Sequence, residues 1–242
     1  MFAGSTLSDS TLKINIENFF TNCNRLTELI YTFSGCKWIK LDENPLVLTT
    51  ESVPCNIYGI FNGCNTTLCY GFGGNWESRY SSNVKFDDRT TINYSDSKGV
   101  YEGNTVIIDN DSISINISSA TKLFDNAILE FNFDINDSIN QAKILTINIG
   151  NSIDIRRICS NTKTNSEKEY LNIEFKNDSK TQNATEAFYN CNILKLNSIL
   201  VLPNTLTEAS SMFYNSSINI CPDLHSTKIS NASNMFRHCL KL

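Results

Sequence analysis

Apolar residues recur along this chain in two rhythms. Stretches such as VIIDNDSISINIS at 106–118, ILTINI at 144–149 and YLNIEF at 170–175 place them at alternate positions and predict half-buried strands. Between the strands lie clusters with apolar residues at i, i+3 and i+4, for example Ala184, Ala187 and Phe188. That spacing predicts one face of a short helix. The polar residues around each cluster fit the same reading. Ser119, Asn183, Thr207 and Asn231 stand where an N-cap would, and an Asn or Gly two residues after the Phe suits a left-handed C-cap.

These clusters are copies of one pattern: small-x-x-apolar-Phe-x-[Asn/Gly]-[Cys/Ser/Ala]. Four align directly, ATKLFDNA at 120–127, ATEAFYNC at 184–191, ASSMFYNS at 209–216 and ASNMFRHC at 232–239. Looser copies are IENFFTNC at 16–23, FSGC at 33–36 and IYGIFNGC at 57–64, and Met1–Ser5 resembles the tail half of another. The repeat positions are therefore Phe20 and Cys23, Phe33 and Cys36, Phe61 and Cys64, Phe124 and Ala127, Phe188 and Cys191, Phe213 and Ser216, and Phe236 and Cys239. The last three Phe recur at intervals of 25 and 23 residues, within the 20–29 residues of a leucine-rich-repeat coil. Phe20 and Phe33 are too close for a full coil, so one of the two is out of register. Arg157–Asn161 reads as a decayed copy, and no copy is visible between Phe61 and Phe124.

The Phe-x-x-Cys-x-x-Leu pattern resembles the BspA-type leucine-rich repeats and is similar to the Met-Phe-x-x-Cys repeats of mycoplasma and bacterial surface proteins. The match is good over 184–242, recognisable at 16–72 and 120–127, and poor between. The resemblance implies an α/β repeat: a curved, leucine-rich-repeat-like solenoid of short helices and short parallel strands, used for adhesion and recognition. On this reading residues 1–72 and 119–242 are solenoid coils, and 73–118 is a β-rich insertion on one face. Coils that begin and stop mid-repeat, with no polar cap over their apolar ends, lead to the expectation of a segment of a longer polypeptide.

Candidate chemistry changes this picture little. Five of the nine cysteines occupy a repeat slot that Ala127 and Ser216 fill elsewhere, so a small buried residue is expected there and not a zinc ligand or a disulfide half. A local disulfide among Cys55, Cys64 and Cys69 is the alternative considered. Cys221–His225 and His238–Cys239 lack a second pair that would complete a metal site or a nucleophile–base arrangement. Gly71–Gly74 lacks the Lys and helix of a phosphate loop, and Asp109–Asp111 lacks the Gly and distal Glu of a calcium loop. No catalytic, cofactor-binding or metal-ligating residue is assigned, and no enzyme activity is expected.

Composition bounds the partners. Lys plus Arg number 20 and Asp plus Glu 25, a net charge of −5 without any basic run, which argues against nucleic acid. No apolar stretch approaches the roughly 18–20 residues that span a bilayer, and the opening MFAGSTLSDS has no basic flank or apolar core of a secretory leader. About one residue in seven is Asn, as in a polar, turn-rich surface. The expectation is a non-enzymatic recognition module on a cell surface or virus particle, binding a protein or glycan. Trp76, Tyr80, Tyr94 and Tyr101 are its candidate contacts, because aromatic side chains bring large amphipathic area at low entropic cost. The alternative is a structural component of a large assembly, such as a bacteriophage virion or tail fibre, contacting sister subunits.

Overall fold

The alternating stretches become strands that pair only in parallel. The computed structural model of the chain describes residues 2–5, 11–23, 25–26, 28–48, 57–70, 73–74, 99–115, 119–133, 142–225 and 227–242. Among them are β1 (Ile14–Asn15), β2 (Ile39–Lys40), β3 (Val47–Leu48), β4 (Thr67–Cys69), β5 (Gly73–Gly74), β6 (Thr105–Ile108), β7 (Ser112–Ile115), β8 (Ile128–Phe131), β9 (Lys143–Ile149), β10 (Lys163–Thr164) and β11 (Glu169–Phe175). Parallel neighbours cannot be joined by a tight hairpin. Here the connection is one circuit of a coil, so each strand lies on its counterpart a coil away. One ladder runs β4-β6-β8-β10 and a second β7-β9-β11, with β1 on β2 and β3 on β5. Alternate residues turn inward: Val106, Ile108, Leu129 and Phe131 from the first ladder, and Ile113, Leu145, Ile147, Leu171 and Ile173 from the second, are all buried.

The clusters expected to be helices are not. The described residues contain no helix, and the leucine-rich-repeat-like solenoid of short helices and strands is not the fold. In Ala184–Cys191 the N–H groups of Ala187, Tyr189 and Cys191 bond the carbonyls three residues back, at 3.0, 3.1 and 3.3 Å. Those of Ala184, Glu186, Phe188 and Asn190 instead bond Glu208, Ser210, Met212 and Tyr214 of the next coil, at 2.7–2.9 Å. An α-helix spends its interior N–H groups on its own carbonyls four residues back and has none for a neighbour. This ladder of turns spends every second one on the adjoining coil.

Backbone conformation gives the same reason. The Asn at the expected C-cap is left-handed, with φ of 55° at Asn126, 53° at Asn190 and 50° at Asn215. Four residues earlier, Lys122, Glu186 and Ser211 are left-handed as well, at 54°, 55° and 53°. A left-handed residue two positions before the Phe bars a continuous right-handed helix there. Each such residue costs about 1–2 kcal/mol, which the bonds to the next coil offset. Asn183 and Asn231 do cap: their Oδ1 atoms accept the N–H of Thr185 and Ser233, at 3.0 and 3.1 Å. The side-chain bond to the residue two ahead opens a turn.

The bonds between coils establish which residues are equivalent. Phe2, Phe33, Phe61, Tyr101, Phe124, Cys159, Phe188, Phe213 and Phe236 occupy one column. The ring of Phe33 stacks on Phe2 at 5.6 Å and on Phe61 at 6.1 Å, and Tyr101 stacks on Phe124 at 5.7 Å. Beyond Cys159, Phe213 lies 5.6 Å from both Phe188 and Phe236, with ring planes within 12°. Phe20 is the out-of-register copy: it bridges Leu48 on the strand side, and Cys23 is exposed. Residues 100–115, placed by sequence within the 73–118 insertion, join the stack through Tyr101, β6 and β7.

The slot three residues after the Phe has a chemical preference, although Ala127 fills it without a donor. The Sγ of Cys36, Cys64 and Cys239 donates to the carbonyl of Phe2, Phe33 and Phe213 in the preceding coil, at 2.8, 2.9 and 2.8 Å. In equivalent slots, Thr162 donates to Phe124 O at 2.7 Å and Asn104 to Phe61 O at 3.0 Å. The position therefore favours a small side chain carrying a donor, which Cys, Thr and Asn each provide. Cys64→Thr is expected to preserve stability, whereas Cys64→Val, of the same shape without a donor, is expected to lose about 1 kcal/mol. Chemical denaturation of the two variants separates these outcomes.

Candidate functional site

The residues that sequence singles out for chemistry are held apart or already occupied. Among the described residues no three or more His, Cys, Asp or Glu side chains are grouped as metal ligands. His225 is exposed and bonds Asp223 at 2.9 Å; His238 stands edge-on to Tyr214 at 5.3 Å, while its neighbour Cys239 turns to Phe213 O. Gly73 and Gly74 form β5, and Asp109 accepts from Asn132 at 3.0 Å. Burial pushes the Cys64 and Cys191 thiols up to about 12 and that of Cys69 up to about 11, so none is a nucleophile near neutral pH. Of the aromatic candidates, Trp76, Tyr80 and Tyr94 lie outside the described residues. Tyr101 is 2% exposed and sits in the ring column between Phe61 and Phe124, which leaves no surface for a ligand.

Accessible polar chemistry gathers instead on the outer face of β7, β9 and β11. The alternation that buries Leu145, Ile147, Leu171 and Ile173 turns the intervening residues to the opposite face, where Asn172 alone is covered and accepts from Asn197 N–H, and parallel register aligns them in rows. Ser112, Thr146 and Asn172 form one row, Ser114, Asn148 and Glu174 a second, and Ile144 pairs with Tyr170 in a third. Rows in such a ladder are spaced by about 4.8 Å from strand to strand. Asn148 Nδ2 donates to Ser112 Oγ at 2.8 Å, and Asn172 Nδ2 is shared between Thr146 Oγ1 and Glu174 Oε1 at 3.4 and 3.3 Å. The Lys195 ammonium, from the following coil, lies 4.6 Å from the centre of the Tyr170 ring. Bonded amides and a rigid sheet hold these groups in place, while Ser114, Glu174 and Lys195 remain exposed. Alternation predicts ILTINI and YLNIEF as strands but does not single out their polar positions, Thr146, Asn148, Tyr170 and Glu174.

The turn side carries a second array, built for cohesion. Asn190 donates to Asn161 and Asn215 to Asn190, at 2.9 and 2.8 Å, and Tyr189 stacks on Tyr214 at 4.9 Å. Asp125, fully buried, meets Arg157 Nη2 at 2.9 Å, and Arg157 reaches Glu186 at 3.7 Å, linking three coils. Burial pushes the Asp125 carboxyl above its ordinary range, against the opposing pull of Arg157, Lys122 and Ser160. A carboxyl raised in the folded state contributes stability that is full below its unfolded pKa, about 3.9, and lost as pH rises through the folded one. Asp125→Asn removes that dependence. The Tm of the wild type minus that of the variant should therefore fall as pH rises above the ordinary carboxylate range. A difference that grows with pH would mean that attraction to Arg157 outweighs burial.

Among the described residues no helix is long and apolar enough to cross a membrane. No family model, curated protein or solved structure matches this chain.

Proposed function

We propose that this chain is a non-enzymatic recognition module, presented on a cell surface or virus particle, that binds a protein or glycan through the outer face of β7, β9 and β11. The observation that carries this reading is the in-register set of Ser114, Thr146, Asn148, Tyr170 and Glu174 on a parallel sheet, with Lys195 over the Tyr170 ring. Donors and acceptors fixed at strand spacing suit the hydroxyl groups of a sugar or the polar edge of a protein. Tyr170 and Ile144 add apolar area beside them. Rigidity matters because side chains already ordered lose little entropy on binding.

The test is binding of the purified chain to panels of immobilised glycans and of extracellular proteins. The double variant Asn148→Ala, Tyr170→Ala should lose at least tenfold in affinity for whatever the wild type retains, with Tm nearly unchanged because both side chains are half-buried on the outer face. Failure of the wild type to bind either panel, or binding indifferent to the substitutions, overturns the reading. Self-association in fixed stoichiometry would instead favour a structural component of an assembly.

A further inference from the structure

The ladder β7-β9-β11 ends on β11, and that edge is only partly covered. Lys143 N–H bonds Lys168 O and Lys176 N–H bonds Ile149 O, both at 2.9 Å, so the even-numbered residues of β11 direct their backbone groups to β9. The odd-numbered residues face the other way. Leu171 shows this: its N–H bonds Ile193 O and its C=O accepts from Lys195, both at 2.8 Å. The following coil then leaves the strand. Leu196 N–H turns to Asn219 Oδ1 at 2.7 Å and Asn197 N–H to Asn172 Oδ1 at 3.2 Å. Past this point no described strand pairs with Ile173 or Phe175 on the open side.

A cleft of about 170 Å³ opens where the coil has departed, lined by Phe175, Lys176, Ser179, Val201, Pro203 and Asn204. Its far wall is apolar and accessible: Val201 is 58% exposed, with Ile199 beside it at 63%. Thr205 Oγ1 donates to Ser179 O at 3.4 Å and to Thr181 O at 2.8 Å, tying the two walls together at one end. Lys176 is exposed and makes no ion pair with a described residue.

An unpaired strand edge binds another strand by its main chain, with alternate side chains sorted by the walls. We infer that this cleft takes an extended peptide, added as a strand against Phe175 and held between β11 and residues 201–204. Phe175 and Val201 select an apolar residue facing the cleft, and Lys176 selects a carboxylate one or two residues along. A folded glycan or an isolated sugar offers no repeating N–H and C=O pair to match this edge. The site is separate from the outer polar face and stands or falls independently of it.

The probe is an acetylated, amidated hexapeptide, Thr-Val-Thr-Val-Thr-Glu, titrated into the ¹⁵N-labelled full chain. Main-chain addition tolerates sequence, so a generic strand former suffices as the probe. The amide signals of Phe175, Asn177, Val201 and Asn204 are expected to shift, and hydrogen exchange at Phe175 to slow at least tenfold. The same peptide N-methylated at alternate residues should bind at least tenfold more weakly, as should Val201→Arg, a change at an exposed side chain that spares the core. Equal binding of the methylated peptide overturns the proposal. So does a Phe175 amide already protected in the free chain, a response confined to the outer face, or no response at saturating peptide.

Discussion

Phe213→Ala is expected to be the most damaging single truncation in the stack. Phe213 is fully buried, and its ring meets Phe188 on one side and Phe236 on the other, each at 5.6 Å with nearly parallel planes. Truncation removes both ring contacts and leaves a void that the coils cannot close, because their separation is set by the backbone bonds of Phe188 to Met212 and Phe213 to Met235. The expected cost is about 3–5 kcal/mol, read as a shift of the denaturation midpoint. Phe213→Leu, which refills most of the volume, should recover more than half of it. Equal losses for Ala and Leu would mean that ring stacking, and not filled volume, is what the column supplies.

Gly99→Ala is the second. Gly99 needs no unusual backbone angle; its constraint is space. A Cβ there would lie 1.8 Å from the Lys122 carbonyl oxygen and 2.6 Å from Leu123 Cα, both backbone atoms of the next coil. A flexible side chain could swing aside, but this backbone cannot. Lys122 N–H is bonded to Arg156 O at 2.8 Å and Leu123 O accepts from Tyr101 at 3.1 Å, so yielding at one coil strains the ladder on both sides. Overpacking of this kind costs about 1–3 kcal/mol and sometimes more. Comparison with Gly103→Ala is informative. A Cβ at Gly103 meets nothing within 4 Å, and only its φ of 71° opposes the change. Gly99→Ala should destabilise more; the reverse order would show that coil spacing is looser than the hydrogen bonds imply.

These two positions also show what could and could not be seen in the sequence. The Phe column is legible for Phe33, Phe61, Phe124, Phe188, Phe213 and Phe236, because a ring repeated beside small residues marks a repeated environment. Tyr101 and Cys159 occupy the same column, yet Tyr101 replaces the Phe and is followed by Asn104 where a small residue is expected, and Cys159 lacks the ring. Arg157–Asn161 keeps enough of the pattern to be noticed. Gly99 gives no sign of its role, since a close approach between coils leaves no local pattern.

Spacing at i, i+3 and i+4 predicts helices, yet it does not belong to helices alone. Successive turns closed by bonds to the residue three back place the same residues inward, as Ala184, Ala187 and Phe188 demonstrate. What separates the two is a left-handed Glu186, a residue type that ordinarily favours a helix and gives no warning. Strands fared better, since alternation in ILTINI and YLNIEF has one structural meaning. The outer face follows from that same alternation, but parallel register is needed to bring Asn148 beside Ser114 and Glu174, and pairing across distant segments cannot be read locally.

The turn ladder sets the whole fold, and the backbone chemical shifts of Ala184–Cys191 and Ala209–Ser216 report on it residue by residue. A left-handed signature is expected at Glu186, Asn190, Ser211 and Asn215, separated by residues of ordinary conformation. An unbroken run of right-handed helical shifts from Ala184 to Tyr189 would contradict it and restore the helical repeat.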